Sequence, residues 1–314
     1  MVAIDLEHPF LTVEPATVPP ILLNRAASRQ APVTVIAGAA SRPALSAVRE
    51  ASEAGLMRPI LIGDPPSVRA EAEAIGWDVA GHDIIGASGE EEEARLAVEA
   101  CRDGTAGLLM KGRVHTNVLM RAVLDRGAGL RTGERLVHIF LLTHSAGGRP
   151  LAISDAAVNV APDIDTRKSA TRQMASLLHH LGVPRPGIAF LSATETPIRS
   201  VPSSLEARHL RDWAQAEIAN AEFSGPLALD LVLSPEAARI KGLANDPVAG
   251  KADGVIVPDI LAGNVLYKTL VHTTGACAAG VVTGARVPIL LTSRADPPAA
   301  RLASVALAGL ISDA

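Results

Sequence analysis

Short apolar runs alternate with amphipathic stretches along most of this chain. Pro32 to Gly38, Pro59 to Gly63, Ile84 to Gly86 and Ala106 to Met110 read as strands. The stretches between them carry apolar residues at helical spacing, with Leu45 and Val48 after Ser41, a helix from Pro66 to Ile75, and Ala94, Ala97, Val98 and Cys101 between Gly89 and Gly104. Strands alternating with helices predict a parallel sheet covered by helices.

The alternation resumes after a polar, Gly-rich loop from Gly127 to Arg135. Strands are expected over Val137 to Thr143, Leu151 to Ser154, Gly187 to Ser192, Leu227 to Leu233 and Gly254 to Val257. Helices are expected from Thr166 to Leu181, from the capping box Ser203-Ser204-Leu205-Glu206, from Ser234-Pro235-Glu236, and from Pro258 to Gly275. Ala278 to Val282 leads to a last short strand, Pro288 to Leu291. Pro297 then opens a terminal helix at its natural first position, with Asp296 as N-cap. Residues before Pro32 read as an irregular arm, and a domain boundary falls near Val137.

Several strand ends carry polar clusters, the place where open α/β sheets bind ligands. The last strand delivers Thr292-Ser293-Arg294-Ala295-Asp296, an anion site made by Ser293 and Arg294. Lys111-Gly112-Arg113 precedes a helix capped by Thr116 or Asn117 and carrying Arg121, so cations stand beside free backbone N–H groups that suit a phosphate. The bland alternative is a solvated loop. Asp155 and Asn159 either tie down a turn or belong to a site, and Asp259, Gly263 and Asn264 either start a helix or do the same. Glu90 to Glu93 suit the positive end of their helix. His179 and His180 are adjacent, so they point about 100° apart and cannot pair as metal ligands at helical spacing.

Composition narrows the function classes. The chain has 314 residues, 48% of them hydrophobic, but only 2% aromatic, so small side chains fill its core. Few stacking rings and a net charge of -4 argue against nucleic acid as a partner. No window approaches the roughly 18 apolar residues of a membrane span, and Met1 to Asn24 does not resemble a signal peptide, so a cytoplasmic protein is expected. Cys101 and Cys277 sit among small apolar residues and read as reduced core thiols. Walker A, Gly-x-Gly-x-x-Gly, His-Glu-x-x-His, Gly-x-Ser-x-Gly and paired-cysteine motifs are missing. The expected chemistry needs no metal and no tightly bound cofactor.

Taken together, the strand-end motifs resemble the phosphate acetyl/butyryltransferase family. They are Lys111-Gly112 with Thr116 and Arg121, Ser154 to Asn159 with Pro162, Val257 to Ile260 with Gly263-Asn264 and Tyr267-Lys268, and Thr292 to Asp296. Leu191-Ser192-Ala193-Thr194-Glu195 is similar to the butyryl-type branch. The resemblance runs from about Pro32 to the C-terminus in the family's order. It implies two three-layer α/β domains with an isocitrate/isopropylmalate dehydrogenase-like fold and a cleft between them. The first domain would be residues 1–137 with 286–314, and the second residues 138–285.

The same resemblance implies exchange of an acetyl, propionyl or butyryl group between coenzyme A and inorganic phosphate through an acyl phosphate, and a homodimer. Ser293, Arg294 and Asp296 would be catalytic. Lys111, Thr116, Arg121, Asp155, Asn159, Asp259, Gly263, Asn264 and Lys268 would bind substrate. Two departures stand out. Reaching Arg121 takes a one-residue shift from the acetyl-type pattern. The acetyl-type base is an aspartate beyond the serine, where this chain has Pro297-Pro298-Ala299-Ala300-Arg301. The base is therefore unassigned, and Asp296 is either a cap or part of the chemistry. The competing reading is a non-catalytic acyl-CoA-sensing module of the same fold. A dehydrogenase on this scaffold would need an aspartate metal cluster that the sequence does not display.

Overall fold

Strands form where β-branched and leucine residues run together between glycine or proline breaks, and helices form where apolar residues recur at helical spacing. The computed structural model describes residues 8, 10–12, 15–291 and 296–312. The first stretch contains α1 (Pro20–Ala27), β1 (Val33–Ala37), α2 (Arg42–Glu53), β2 (Arg58–Gly63), α3 (Pro65–Ala74), β3 (Asp83–Gly86), α4 (Glu90–Arg102), β4 (Leu108–Lys111) and α5 (Thr116–Val123). Then come β5 (Val137–Thr143), β6 (Leu151–Ser154), α6 (Ile164–His180), β7 (Gly187–Leu191), α7 (Pro202–Glu217), β8 (Glu222–Leu227), α8 (Leu229–Leu233) and α9 (Pro235–Ile240). The chain closes with β9 (Gly254–Ile256), α10 (Ile260–Thr274), β10 (Cys277–Thr283), β11 (Ile289–Leu290) and α11 (Pro298–Ile311).

Among the described residues, eleven strands make one sheet in the order β3-β2-β1-β4-β11-β10-β5-β6-β9-β7-β8. The blocks β3-β2-β1-β4-β11 and β6-β9-β7-β8 are each parallel. They are joined through β10 and β5, which pair antiparallel with each other and with β11 and β6. Alternation along β5 sorts the two faces. Val137, Ile139 and Leu141 join the core that holds α1, α2, α6, α7 and α11. The opposite face divides into one core under α4 and α5 and another under α8 to α10. Helices thus cover both faces, which is why the strands are apolar almost throughout.

Five expectations need correction. The arm before Pro32 contains α1, which buries Leu22 and Ala26, while Arg25 donates to the Leu181 carbonyl at 2.6 Å at the end of α6. The strand expected over Leu227 to Leu233 ends at Leu227, and the rest is α8 with Leu231 and Val232 buried. Gly225 and Pro226 disguised the strand, and a short buried helix has the same apolar pattern as a buried strand. The helix assigned to the capping box begins earlier, at Pro202; Ser204 instead donates to the Val201 carbonyl at 2.7 Å and accepts from the Ile198 N–H at 2.9 Å. The residue ahead of α5 is His115, so Thr116 is the first helical residue and neither Thr116 nor Asn117 is the cap. Pro297, not Asp296, is the N-cap of α11, and Asp296 lies one residue outside the helix.

Both thiols lie in the core as expected. Cys101 and Cys277 are free and buried, and burial pushes their pKa values up to about 12 and about 11.

Candidate acyl-transfer site

The turn after β6 is organised by one carboxylate. Asp155 Oδ1 accepts from the N–H groups of Ala157 and Val158 at 2.9 and 3.0 Å, and Oδ2 accepts from the Asn159 N–H at 3.2 Å and its Nδ2 at 2.6 Å. Asn159 Nδ2 also donates to the Leu136 carbonyl at 2.8 Å, joining the turn to the start of β5. The first turn of α10 packs directly on this loop. Asp259 caps α10 through the Ala262 N–H at 2.9 Å. A Cβ on Gly263 would stand 2.8 Å from the Asp155 carbonyl oxygen and 2.9 Å from Ala156 Cβ, so only glycine permits this approach. Asn264 reaches the Ala156 carbonyl at 3.4 Å. Asp155, Asn159, Asp259, Gly263 and Asn264 therefore form one surface, although the two motifs are about a hundred residues apart.

A ring column extends from that surface over the sheet. Tyr267, one turn beyond Gly263, stacks on Phe140 at 4.3 Å, and Phe140 lies against His138 at 4.2 Å. Both β5 rings cover Gly280, where a Cβ would be 2.7 Å from His138 Nε2 and 2.8 Å from Phe140 Cε1. Burial lowers the His138 pKa to about 4 despite the opposing pull of the Asp155 carboxylate, so the imidazole is neutral near pH 7. The Tyr267 phenol is shifted up, first by burial and then by the negative charge of Asp296. Lys268 follows on the same helix and is exposed. His138 escaped the sequence reading, because a lone histidine in a strand carries no spacing signal; Tyr267 was read only as part of the Tyr267-Lys268 motif.

The loop between β4 and α5 is held from α4. Glu93 is fully buried and accepts from Arg113 Nη2 at 2.6 Å. Glu90 accepts from the His115 N–H at 3.0 Å and faces its Nδ1 at 2.8 Å, and these contacts hold the Glu90 carboxyl below its usual range. These two carboxylates position the loop as well as complementing the helix dipole. Gly112 is required where the loop crosses β1, since a Cβ there would lie 2.2 Å from the Gly38 carbonyl oxygen. Lys111 Nζ donates to the Gly112 and Val114 carbonyls at 3.2 and 3.4 Å. Thr116 is exposed at the start of α5. Arg121 lies in the groove between α4 and α5, 4.0 Å from Glu91, and not in the Asp155 surface.

A cavity of about 620 Å³ separates α5 from the Asp155 turn. Met120 and Val123 of α5 with Leu124 just beyond it, Val158 and Asn159, and residues 130–136 with Gly284 line it. Ser293 and Arg294, with Thr292 and Ala295, lie outside the described residues. Among the described residues, no group of three or more His, Cys, Asp or Glu is placed to hold a metal ion, and no helix is long and apolar enough to cross a membrane.

Comparison with known proteins gives a consistent result. Residues 89–308 match the family described as "Phosphate acetyl/butaryl transferase". A phosphate acetyltransferase of Rhizobium meliloti is 41% identical over 290 residues, 92% of this chain and 92% of that protein. A phosphate butyryltransferase of Clostridium acetobutylicum is 35% identical over 291 residues, 92% of this chain and 96% of the other. A branched-chain phosphotransacylase from Enterococcus faecalis V583 superimposes with a TM-score of 0.78 at 29% identity, over 89% of this chain and 99% of that one. A 4-hydroxythreonine-4-phosphate dehydrogenase from Burkholderia phymatum shares the fold at a TM-score of 0.56 and 14% identity, over 90% of this chain and 99% of that one.

Proposed function

The chain belongs to the phosphate acetyl/butyryltransferase family, and from that premise we propose that it moves a short acyl group reversibly between coenzyme A and inorganic phosphate beside the Asp155 surface. The observation that carries this reading is the union of two distant motifs. The turn from Ser154 to Asn159 and the first turn of α10 are locked together by Asp155, Gly263 and Asn264, and Val158 and Asn159 of that turn line a cavity shared with α5.

In the direction of thioester formation, the coenzyme A sulfur attacks the carbonyl carbon of an acyl phosphate. The new C–S bond replaces the C–O bond to phosphorus, and phosphate leaves with the electron pair. Ser293 donates to the carbonyl oxygen as negative charge develops there, and Arg294 holds phosphate oxygens by charge-assisted hydrogen bonds. Lys111 at the end of β4 and Thr116 and Arg121 on α5 supply further donors, and the exposed Arg121–Glu91 contact at 4.0 Å is weak enough for a substrate phosphate to displace. The thiol proton needs an acceptor, because a free thiol titrates about a unit above neutral pH. Asp296 is the carboxylate we assign, since it follows Ser293 and Arg294 in the same motif and its charge is felt at Tyr267 on α10. Asp155, Asn159, Asp259, Gly263, Asn264 and Lys268 shape and line the binding surface.

The proposed division places residues 1–137 with 286–314 in one domain and 138–285 in the other; the strand order, with β1 to β4 and β11 on one side of the β11–β10 pair and β5 to β10 on the other, supports it. A homodimer is also proposed, supported by Leu261 and Val265 lying exposed on α10. The protein is proposed to act in the cytoplasm without a tightly bound cofactor.

The test is thioester formation by the purified protein from coenzyme A and acetyl, propionyl or butyryl phosphate. A rate with at least one of them is the expected result. Binding of acyl-CoA with no turnover of any of the three would replace the enzyme by an acyl-CoA-sensing module.

A further inference from the structure

The loop that closes the cavity carries two arginines that no motif singled out. Arg131 and Arg135 both line the cavity, and neither makes an ion pair among the described residues. The intervening acid does not neutralise them. Glu134 is taken by Arg172, with contacts of 2.9 Å to each oxygen, and this pairing holds the Glu134 carboxyl below its usual range. Asp163 feels the charge of Arg135, but its carboxylate is committed to the Thr166 N–H at 2.7 Å as the cap of α6.

The backbone of this loop is fixed on every side. The Leu130 N–H donates to the Val123 carbonyl at 2.8 Å, and the Arg286 N–H donates to the Leu130 carbonyl at 2.9 Å. Arg131 bridges to Ala285, and Thr132 Oγ1 donates to the Gly284 carbonyl at 2.7 Å. The Arg135 N–H donates to Ser169 Oγ at 2.9 Å, and its carbonyl accepts from Gln173 at 2.8 Å. Gly284 has φ +94°, and a Cβ there would lie 2.2 Å from the Arg135 carbonyl oxygen, so a glycine lets the two segments meet. Met120, Val123, Leu124 and Val158 line the same cavity and offer the arginines no counter-charge.

Two guanidinium groups without an ion pair, on a braced loop that lines a partly apolar cavity, suit a ligand with a phosphate at one end and an uncharged chain at the other. We propose that Arg131 and Arg135 form a phosphate-binding element that grips one of the two phosphate-bearing substrates, either the diphosphate or 3′-phosphate of coenzyme A or the phosphate of the acyl phosphate. The assignment rests on the acyl-transfer reading for the identity of these ligands.

The test compares the wild type with R131Q, R135Q and the double variant, measuring KM separately for coenzyme A and for butyryl phosphate. R126Q, an exposed arginine outside the cavity, controls for a general loss of positive charge. Thermal unfolding confirms that each variant is folded. Each lost charge-assisted contact should raise the KM of the gripped substrate about ten- to a hundredfold, with R126Q unchanged. A rise for coenzyme A alone assigns its phosphates to the loop, and a rise for butyryl phosphate alone assigns the acyl phosphate. Both KM values within twofold of wild type in the folded double variant would overturn the proposal. Calorimetric titration with coenzyme A and, in a separate run, with butyryl phosphate keeps the test separate from turnover. If the wild type binds either one but transfers no acyl group, the enzyme reading fails. The loop is then judged by whether the double variant loses that binding. If neither binds, the loop proposal is overturned as well.

Discussion

Replacing Gly263 by alanine sets two known effects against each other. Gly263 is the fourth residue of α10, and in an isolated helix this change stabilises by about 0.8–1 kcal/mol. Here the added methyl meets the Asp155 carbonyl oxygen at 2.8 Å, Ala156 Cβ at 2.9 Å and Ala156 Cα at 3.0 Å. None of these is the end of a flexible side chain, so the Asp155 turn must shift as a whole. Overpacking of this kind costs about 1–3 kcal/mol, and three tight contacts place it in the upper half of that range. The net expectation is destabilisation by about 1–2 kcal/mol. With an unfolding entropy of roughly 2.1 cal/mol/K per residue, 314 residues give about 0.7 kcal/mol/K, so Tm should fall by about 1.5–3 °C. The displaced turn carries Asn159 into the cavity wall, so KM for coenzyme A or the acyl phosphate should rise in the same variant. Scanning calorimetry and steady-state thioester formation read the two effects. A Tm above wild type with unchanged KM would mean that α10 is not locked to the turn, and the union of the two motifs would lose its meaning.

Four further outcomes are expected. Ser293→Ala should lower kcat by about 10²–10³, the usual loss for one donor to a developing oxyanion, while leaving acyl-CoA binding measurable; unchanged kcat would remove Ser293 from the chemistry. His138 should make the protein acid-sensitive. Its folded pKa of about 4 lies below the ordinary 6.5, so the unfolded chain binds the extra proton between those values and stability falls as pH drops through that window, by about 3 kcal/mol in all; urea unfolding of His138→Gln should show a flatter profile there. Glu93→Ala should destabilise by about 1–3 kcal/mol by stripping a fully buried partner from the half-exposed Arg113 and loosening the β4–α5 loop; a neutral result in calorimetry would refute the brace. Arg167→Met should be neutral or stabilising. Arg167 is buried, and its Nε and Nη2 have no hydrogen-bond partner, each an unmet donor costing about 1–3 kcal/mol, against one contact to the half-exposed Glu206. A fall in Tm would show that those donors are satisfied.

Most of the architecture could be read in advance because the signals are local. The alternation from Pro32 onward located nine of the eleven strands, since a run such as Val33 to Ala37 is buried on both faces whichever strand lies beside it. The exceptions have local causes too. At Leu227 to Leu233, apolar character alone could not separate a strand end from a short buried helix, and at Asp296 to Pro298 consecutive prolines made the helix start ambiguous by one residue. Motif order along the chain was enough to indicate the family, because residue types and their sequence are properties of the chain itself.

What the chain does not contain is adjacency. Gly263 reads as one more helix residue until α10 is laid on the Asp155 turn, and Gly284 as a loop residue until Arg135 passes within 2.2 Å of its missing Cβ. The same holds for charge. Glu90 and Glu93 look like dipole partners in sequence and prove to hold the loop of Arg113 and His115, while Glu134 is claimed by Arg172, 38 residues away. Whether a cation is spent or open depends on which carboxylates the fold brings within a few ångströms, and Coulomb energies fall off over that distance. The sequence by itself therefore determined most of the strands and helices and the family; the tertiary structure alone decided that Arg131 and Arg135 line a cavity without an ion pair among the described residues.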